Sequence, residues 1–132
     1  MNRFYRPLVE LLENRLAPAQ FGVPWPNPGQ LTLSIVLDGT PAGLGPSNLS
    51  QTLNVKASTA AWELEVLRAF QTWAVNANIN IGVVADGGQA LGVAGAVQGD
   101  TRFGDIRIAA TPGAGDSTDL ADAQPFSWTG TT

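Results

Sequence analysis

The apolar and polar positions of this chain change period several times, and each change marks an element. Residues 31–37, Leu-Thr-Leu-Ser-Ile-Val-Leu, alternate with period two. Leu31, Leu33, Ile35 and Leu37 fall on one face and Thr32 and Ser34 on the other, the pattern of a half-buried strand. Asp38-Gly39 ends it, and the Gly-, Pro-, Ser- and Asn-rich stretch 39–50 reads as a surface loop. From about residue 59 to 77 the period becomes 3.6, with Trp62, Val66, Ala69, Phe70, Trp73, Ala74 and Ala77 on one stripe. Ser58 or Thr59 is placed to cap this helix, with Glu63 and Glu65 in its early turns. An aromatic stripe opposite a charged side predicts core, so this helix is expected to be the main cover of a sheet.

Alternation returns at 79–85, where Ile79, Ile81 and Val83 share a face and Asp86-Gly87-Gly88 closes the run. Strand, helix and strand within this length predict a parallel pair joined by a right-handed crossover. Residues 91–97 carry Leu91, Val93 and Val97 among glycines and read as a weak edge strand or an ordered loop. A third strand is expected at 105–110, with Ile106 and Ile108 pointing one way and Asp105 and Arg107 the other. The fold class is therefore α/β (α+β), a mostly parallel twisted sheet with one main covering helix.

The first 30 residues have a different character. Leu8, Leu11, Leu12 and Leu16 fall on one side of a short helix, Ala17-Pro18-Ala19 has the small-x-small form of a cleavage site, and Pro24, Pro26 and Pro28 follow. Residues 1–29 hold three Arg and two Glu, whereas residues 30–132 hold four basic and nine acidic groups. Three pieces follow from this: an N-terminal segment at 1–19, a Pro-rich linker at 20–30, and a domain at 31–132. Trp25 is expected to fasten the linker to the domain. No apolar run approaches the roughly 20 residues of a membrane-spanning helix. The basic residues stand singly, as Arg3, Arg6, Arg15, Lys56, Arg68, Arg102 and Arg107, so no positive stripe offers itself to nucleic acid.

Composition narrows the chemistry. The 132 residues contain no histidine and no cysteine, which removes the commonest zinc ligand, the usual general base, the cysteine nucleophile and any disulfide. Carboxylates remain: Asp38, Glu63, Glu65, Asp86, Asp100, Asp105, Asp116, Asp119 and Asp122. No pair stands out as a glycosidase pair, and most adjoin Gly or lie in polar loops, where a solvated turn residue is expected. Asp116, Asp119 and Asp122 recur every three residues but do not match a calcium loop, and a solvated acidic loop is the expected reading. Gly92-Val93-Ala94-Gly95 lacks the Gly-Lys-Ser/Thr of a phosphate loop, and Lys56 has no serine placed for a dyad. No residue of the chain is assigned a catalytic, cofactor-binding or metal-ligating role.

Two resemblances give these pieces a context. Arg6-Pro7-Leu8-Val9-Glu10-Leu11-Leu12-Glu13-Asn14-Arg15-Leu16-Ala17-Pro18-Ala19 resembles the R-P-x-x-E-x-L-E-x-R segment at the start of many large exported bacterial surface proteins. It implies an export segment and a secreted or cell-surface location. Ala69-Phe70-Gln71-Thr72-Trp73, Phe103-Gly104-Asp105-Ile106-Arg107-Ile108 and Leu120-Ala121-Asp122-Ala123-Gln124-Pro125 resemble three successive signatures of the matrixin-type zinc metallopeptidases, A-F-x-x-W, A-D-I-R-I and L-A-x-A-x-P.

That second resemblance covers about residues 30–128 and implies an incomplete zincin-like three-layer domain, the first half of a metallopeptidase catalytic domain. Gly104 departs from the usual Ala, and Ile81 stands where an aromatic is common. In the family, zinc is held by H-E-x-x-H-x-x-G-x-x-H, which follows the L-A-x-A-x-P region and does not occur here. Asp105 matches a position that binds calcium in some members, beside an equally expected structural role at a strand edge. The resemblance thus implies a truncated secreted zinc metalloendopeptidase, inactive as this chain, with a protein or peptide substrate in the complete enzyme. The alternative is a non-catalytic exported surface or adhesion domain. A half-domain is expected to leave an apolar sheet face uncovered.

Overall fold

The computed structural model describes residues 22–112 together with residues 121 and 123. Its elements run β1 (Gln30–Ile35), α1 (Leu49–Asn54), α2 (Thr59–Ala77), β2 (Asn80–Val83) and β3 (Ile106–Ile108). The three strands form one sheet in the order β2-β1-β3, and both pairings are parallel. In register, Leu31 sits opposite Ile81, and Leu33 opposite Val83 on one side and Ile106 on the other. The first-formed strand is therefore central, and α2 carries the chain from it to β2.

Helix α2 has the length that its periodicity predicts, and its ends show why. Ser58 enters in extended conformation and makes no side-chain cap. Instead the Asn54 side-chain oxygen accepts the Thr59 hydroxyl at 2.9 Å and the Trp62 indole N–H at 2.8 Å, tying α1 to the start of α2. The first turn holds no acidic residue, because Glu63 and Glu65 begin one turn later. At the other end Asn78 takes a left-handed conformation (φ 52°), and the Ile79 amide reaches back to the Ala74 carbonyl at 3.0 Å. This is a Schellman-type stop, and it turns the chain directly into β2.

The two faces of the sheet are covered differently. Leu31, Ile81 and Ile106 look toward Ala69, Phe70 and Trp73 of α2. The opposite face, carrying Thr32, Ser34 and Val36, is covered by the segment that runs from the end of β2 to β3, residues 84–105. Residues 91–97 belong to that covering segment and form no strand. Among the described residues Leu31, Leu33, Val36, Trp62, Ala74 and Phe103 are the buried apolar side chains, with Leu33 and Val36 wholly enclosed. Burial of such a side chain contributes about 1.5–3 kcal/mol.

Several positions depart from the periodic expectation. β1 stops at Ile35, so Val36 takes the interior position and Leu37 is 54% exposed. On the α2 stripe Trp62 and Ala74 are buried, but Trp73 is 72% exposed and Ala69 and Ala77 are also exposed. The reason is geometric: a three-stranded sheet is narrower than the apolar stripe laid on it. The short helix α1 begins at the end of the stretch 39–50 that reads as a loop and runs past it to Asn54. It is held by Asp38, whose carboxylate oxygens accept the amides of Ser50 at 2.9 Å and Gln51 at 2.7 Å. The signal was not local, because the acceptor sits 12 residues before its donor.

Candidate functional site

On the face away from α2, strand alternation brings Ser34 of β1 beside Arg107 of β3. The segment leaving β2 adds Asp86. Arg107 donates to both Asp86 oxygens, Nη2 to Oδ1 at 2.8 Å and Nε to Oδ2 at 2.9 Å, the fork geometry of a bidentate pair. The Ser34 hydroxyl donates to Asp86 Oδ2 at 2.8 Å and accepts the Gly104 amide at 3.0 Å. Gly88, at φ 76°, turns its amide onto Asp86 Oδ1 at 2.9 Å, a conformation that glycine adopts without strain. Two further Arg107 protons go to the carbonyls of Gln89 and Ala90.

The side chains of Arg107 and Asp86 are 4% and 0% exposed, so this ion pair is out of water. Burial opposes the charge of Asp86, but the hydrogen bonds from Arg107, Gly88 and Ser34 and the nearby guanidinium charge outweigh it and hold the carboxyl below its ordinary 3.8. Asp86 is therefore no solvated turn residue; every lone-pair direction it offers is engaged.

Phe103, itself buried, lies beneath this cluster. Its ring centroid is 4.4 Å from the Arg107 guanidinium carbon and 5.1 Å from that of Arg102, both within cation–π reach. Arg102 in turn forks onto Asp100, Nε to Oδ1 at 2.9 Å and Nη2 to Oδ2 at 2.7 Å. That side-chain pairing, with the Arg102 amide, holds the Asp100 carboxyl well below the usual carboxylate range.

Asp105 occupies the edge of the same face. Its Oδ2 accepts the Thr32 amide at 2.9 Å and the Thr32 hydroxyl at 2.8 Å, and its Oδ1 accepts the Gly99 amide at 2.6 Å. The Thr32 hydroxyl also accepts the Asp105 amide at 2.9 Å. The carboxylate thus stitches β1 to the start of β3. Its oxygens accept three donors of the chain, which gives the carboxylate a structural role at the strand edge.

The departure at Gly104 has a physical cause. A Cβ there would lie 2.6 Å from the Ser34 amide nitrogen and 2.7 Å from the Leu33 carbonyl carbon, so the alanine usual in the metallopeptidase signature has no room.

All four described aspartates, Asp38, Asp86, Asp100 and Asp105, are acceptors for fixed donors of the chain. None is left as a free base, and among the described residues no group of three or more His, Cys, Asp or Glu side chains is gathered to hold a metal ion. Glu63 and Glu65 stand on α2, Glu65 paired with Arg68 at the surface. Asp116, Asp119 and Asp122, and the Leu120–Pro125 signature, lie outside the described residues apart from Ala121 and Ala123.

The other feature is apolar. Between α2 and the sheet runs a groove of about 430 Å³ whose walls include Trp25, Leu31, Phe70, Trp73, Ile81 and Ile106, with no charged residue among the lining side chains. A smaller hollow of about 270 Å³ opens at the other end of the sheet, among Ile35, Leu37, Leu67 and Val83. Trp25 forms one wall of the groove and so fastens the Pro-rich stretch to the domain. Gln98 reinforces it by accepting the Asn27 amide at 2.7 Å and donating to the carbonyls of Asn27 and Gln30.

Neither protein-family models, nor curated proteins, nor solved structures match this chain. The domain carries a saturated polar clasp on one face of its sheet and an open apolar groove on the other. No described helix is long and apolar enough to cross a membrane.

Proposed function

We propose that this chain supplies the non-catalytic, N-terminal half of a matrixin-type zinc metallopeptidase domain in a secreted or cell-surface protein. The observation that carries the reading is the coincidence of motif and element. A-F-x-x-W stands on the long helix α2, F-G-D-I-R-I runs into the third strand of a parallel sheet, and, with the short α1 set aside, the strand-helix-strand-strand order is the one the resemblance implies. The open groove adds support, because an exposed apolar surface of this kind marks a place where something further packs.

The donor set of this chain does not fit a zinc centre. Histidine and cysteine are absent from all 132 residues, and the described aspartates are committed to backbone and arginine donors. The half-domain's part is structural: it presents a rigid parallel sheet on which a metal-bearing half is built, and zinc, substrate binding and peptide cleavage belong to that other half.

The test is to sequence the coding DNA beyond the codon for Thr132 and express the extended reading frame. The reading expects an in-frame H-E-x-x-H-x-x-G-x-x-H, bound zinc, and cleavage of a protein substrate by the extended chain. A stop codon with no such motif in any nearby frame refutes it. A second reading, a non-catalytic exported surface or adhesion domain, is favoured by Gly104, where the family's alanine is sterically refused. It predicts that stop.

A further inference from the structure

The two edges of the sheet are unlike. β3 is three residues long and carries Arg107, held in the polar clasp, between its isoleucines. β2 presents Asn80, Ile81, Gly82 and Val83 in unbroken register with β1, and residues 69–85 contain no charged side chain and no proline. Charge and proline are what normally guard an exposed edge against pairing with another chain. The parity of the ladder shows which groups stand open. The amides of Asn80 and Val84 reach the carbonyls of Gly29 and Leu33, each at 2.9 Å, and Gly82 lies between them in the same phase. Ile81 and Val83 therefore aim both N–H and C=O outward, where no described residue meets them. We propose that this edge pairs with the same edge of a second copy, antiparallel about a two-fold axis at Gly82, giving one continuous sheet in the order β3-β1-β2-β2-β1-β3.

The strand is complementary to itself in that register. Ile81 exchanges both of its outward hydrogen bonds with the Val83 of the second copy, and Val83 does the same with the second Ile81. Between them Gly82 faces Gly82 in a non-hydrogen-bonded pair, where opposed Cα atoms come within about 4.5 Å and the lack of a side chain lets the backbones close. On the side of the sheet that bears α2, each isoleucine meets a valine, a favourable cross-strand pair of β-branched residues.

A strand edge alone falls short of the roughly 800 Å² per partner of a stable interface, and helix α2 extends it. Leu64, Leu67, Gln71 and Val75 follow one another at helical spacing, and Leu64, Leu67 and Val75 are exposed. Leu67 shares a hollow with Val83, which is 59% exposed, and Val84, so this flank of α2 adjoins the end of β2. The two-fold axis stands perpendicular to the sheet, which places both helices on one side of it and brings their apolar flanks together. Exposed apolar side chains clustered in this way mark a contact surface. The interface is isologous and closes at two copies, under either reading of the chain's function.

Gly82 is the place to test this. A Cβ there finds its nearest atom, the Leu31 carbonyl oxygen, at 4.0 Å, so a larger side chain fits the single copy. Sedimentation equilibrium of the full chain is expected to give twice the chain mass between micromolar and millimolar concentration. Gly82→Lys and Gly82→Glu each set like charges opposite one another and are expected to weaken the dimer by about tenfold or more, whereas an equimolar mixture of the two restores it. Amide hydrogen exchange reads the same contact. Ile81 and Val83 are expected to be protected in the parent and to exchange freely in Gly82→Lys, while Val84, bonded to Leu33, stays protected in both and reports that the variant is folded. A single-chain mass at about 1 mM, an assembly that both substitutions leave intact, or a mixture that stays monomeric overturns the inference. So does free exchange of Ile81 and Val83 in the parent.

Discussion

Replacing Arg107 by Met removes a guanidinium that donates to both oxygens of Asp86 and to two carbonyls, and leaves the carboxylate enclosed with only the Ser34 hydroxyl and the Gly88 amide. Both side chains are essentially out of water. Removing one partner of such a pair costs about 3–5 kcal/mol, chiefly because the other is stranded. A domain of this size has a total stability of roughly 5–15 kcal/mol, so the loss is large but measurable. Urea unfolding followed by tryptophan fluorescence is the assay, with an unchanged slope required for the comparison to stand.

The pH dependence sharpens the test. In the parent chain Asp86 titrates below its ordinary 3.8, so its contribution is present above the unfolded value and is lost as pH falls through the lower folded one. Without Arg107, its hydrogen bonds and charge no longer offset burial, so the carboxyl titrates higher than in the parent. The variant's deficit therefore shrinks as pH drops toward and below 3.8. Joining Asp86→Leu to Arg107→Met is expected to cost less than the two single changes together by about 1–3 kcal/mol. A single-variant loss below about 1 kcal/mol, the value of a surface pair, or a deficit constant with pH, refutes the reasoning.

Leu33→Ala, in the wholly enclosed centre of β1, is expected to lower unfolding stability by about 2–5 kcal/mol in the same titration. Gly104→Ala drives a Cβ against the backbone of Leu33 and Ser34 and is expected to cost about 1–3 kcal/mol or prevent folding; a variant as stable as the parent would show that the approach of β3 to β1 is looser than 2.6 Å implies. Asp105→Ala leaves the amides of Thr32 and Gly99 without their acceptor, an expected loss of about 1–3 kcal/mol by urea unfolding. Chelators and added calcium are expected to leave the parent's Tm unchanged, and a calcium-dependent rise abolished by Asp105→Ala would refute the structural role of that carboxylate.

Legibility in the sequence followed the range of the interactions. The alternation of Leu31, Leu33 and Ile35 and the repeat from Trp62 to Ala74 report on their own element, and they give β1, α2 and the parallel pairing to β2 directly. Ser34 and Asp86 were not legible. A serine opposite a leucine face and an aspartate before two glycines look solvated, and nothing within a dozen residues announces that each is buried by the other across 52 positions. The same holds for Arg107, whose alternation with Ile106 and Ile108 gives its face but not the carboxylate waiting there 21 residues earlier. Trp73 fails in the opposite sense: its period is that of a core residue, but the sheet beneath it ends before reaching it.

The order β2-β1-β3 also sets a schedule for synthesis. β1, α2 and β2 are complete at Val83, but the second edge of the central strand stays open until Ile108 has been made, 25 residues later. At a translation rate of roughly 5–20 residues per second that interval is about 1–5 s. For most of it Thr32 waits for Asp105, Ser34 for the Gly104 amide and Asp86 for Arg107. Until then the second edge of β1 has no partner strand in the chain made so far, and that interval is when a chaperone or a neighbouring copy has its best chance to pair with it.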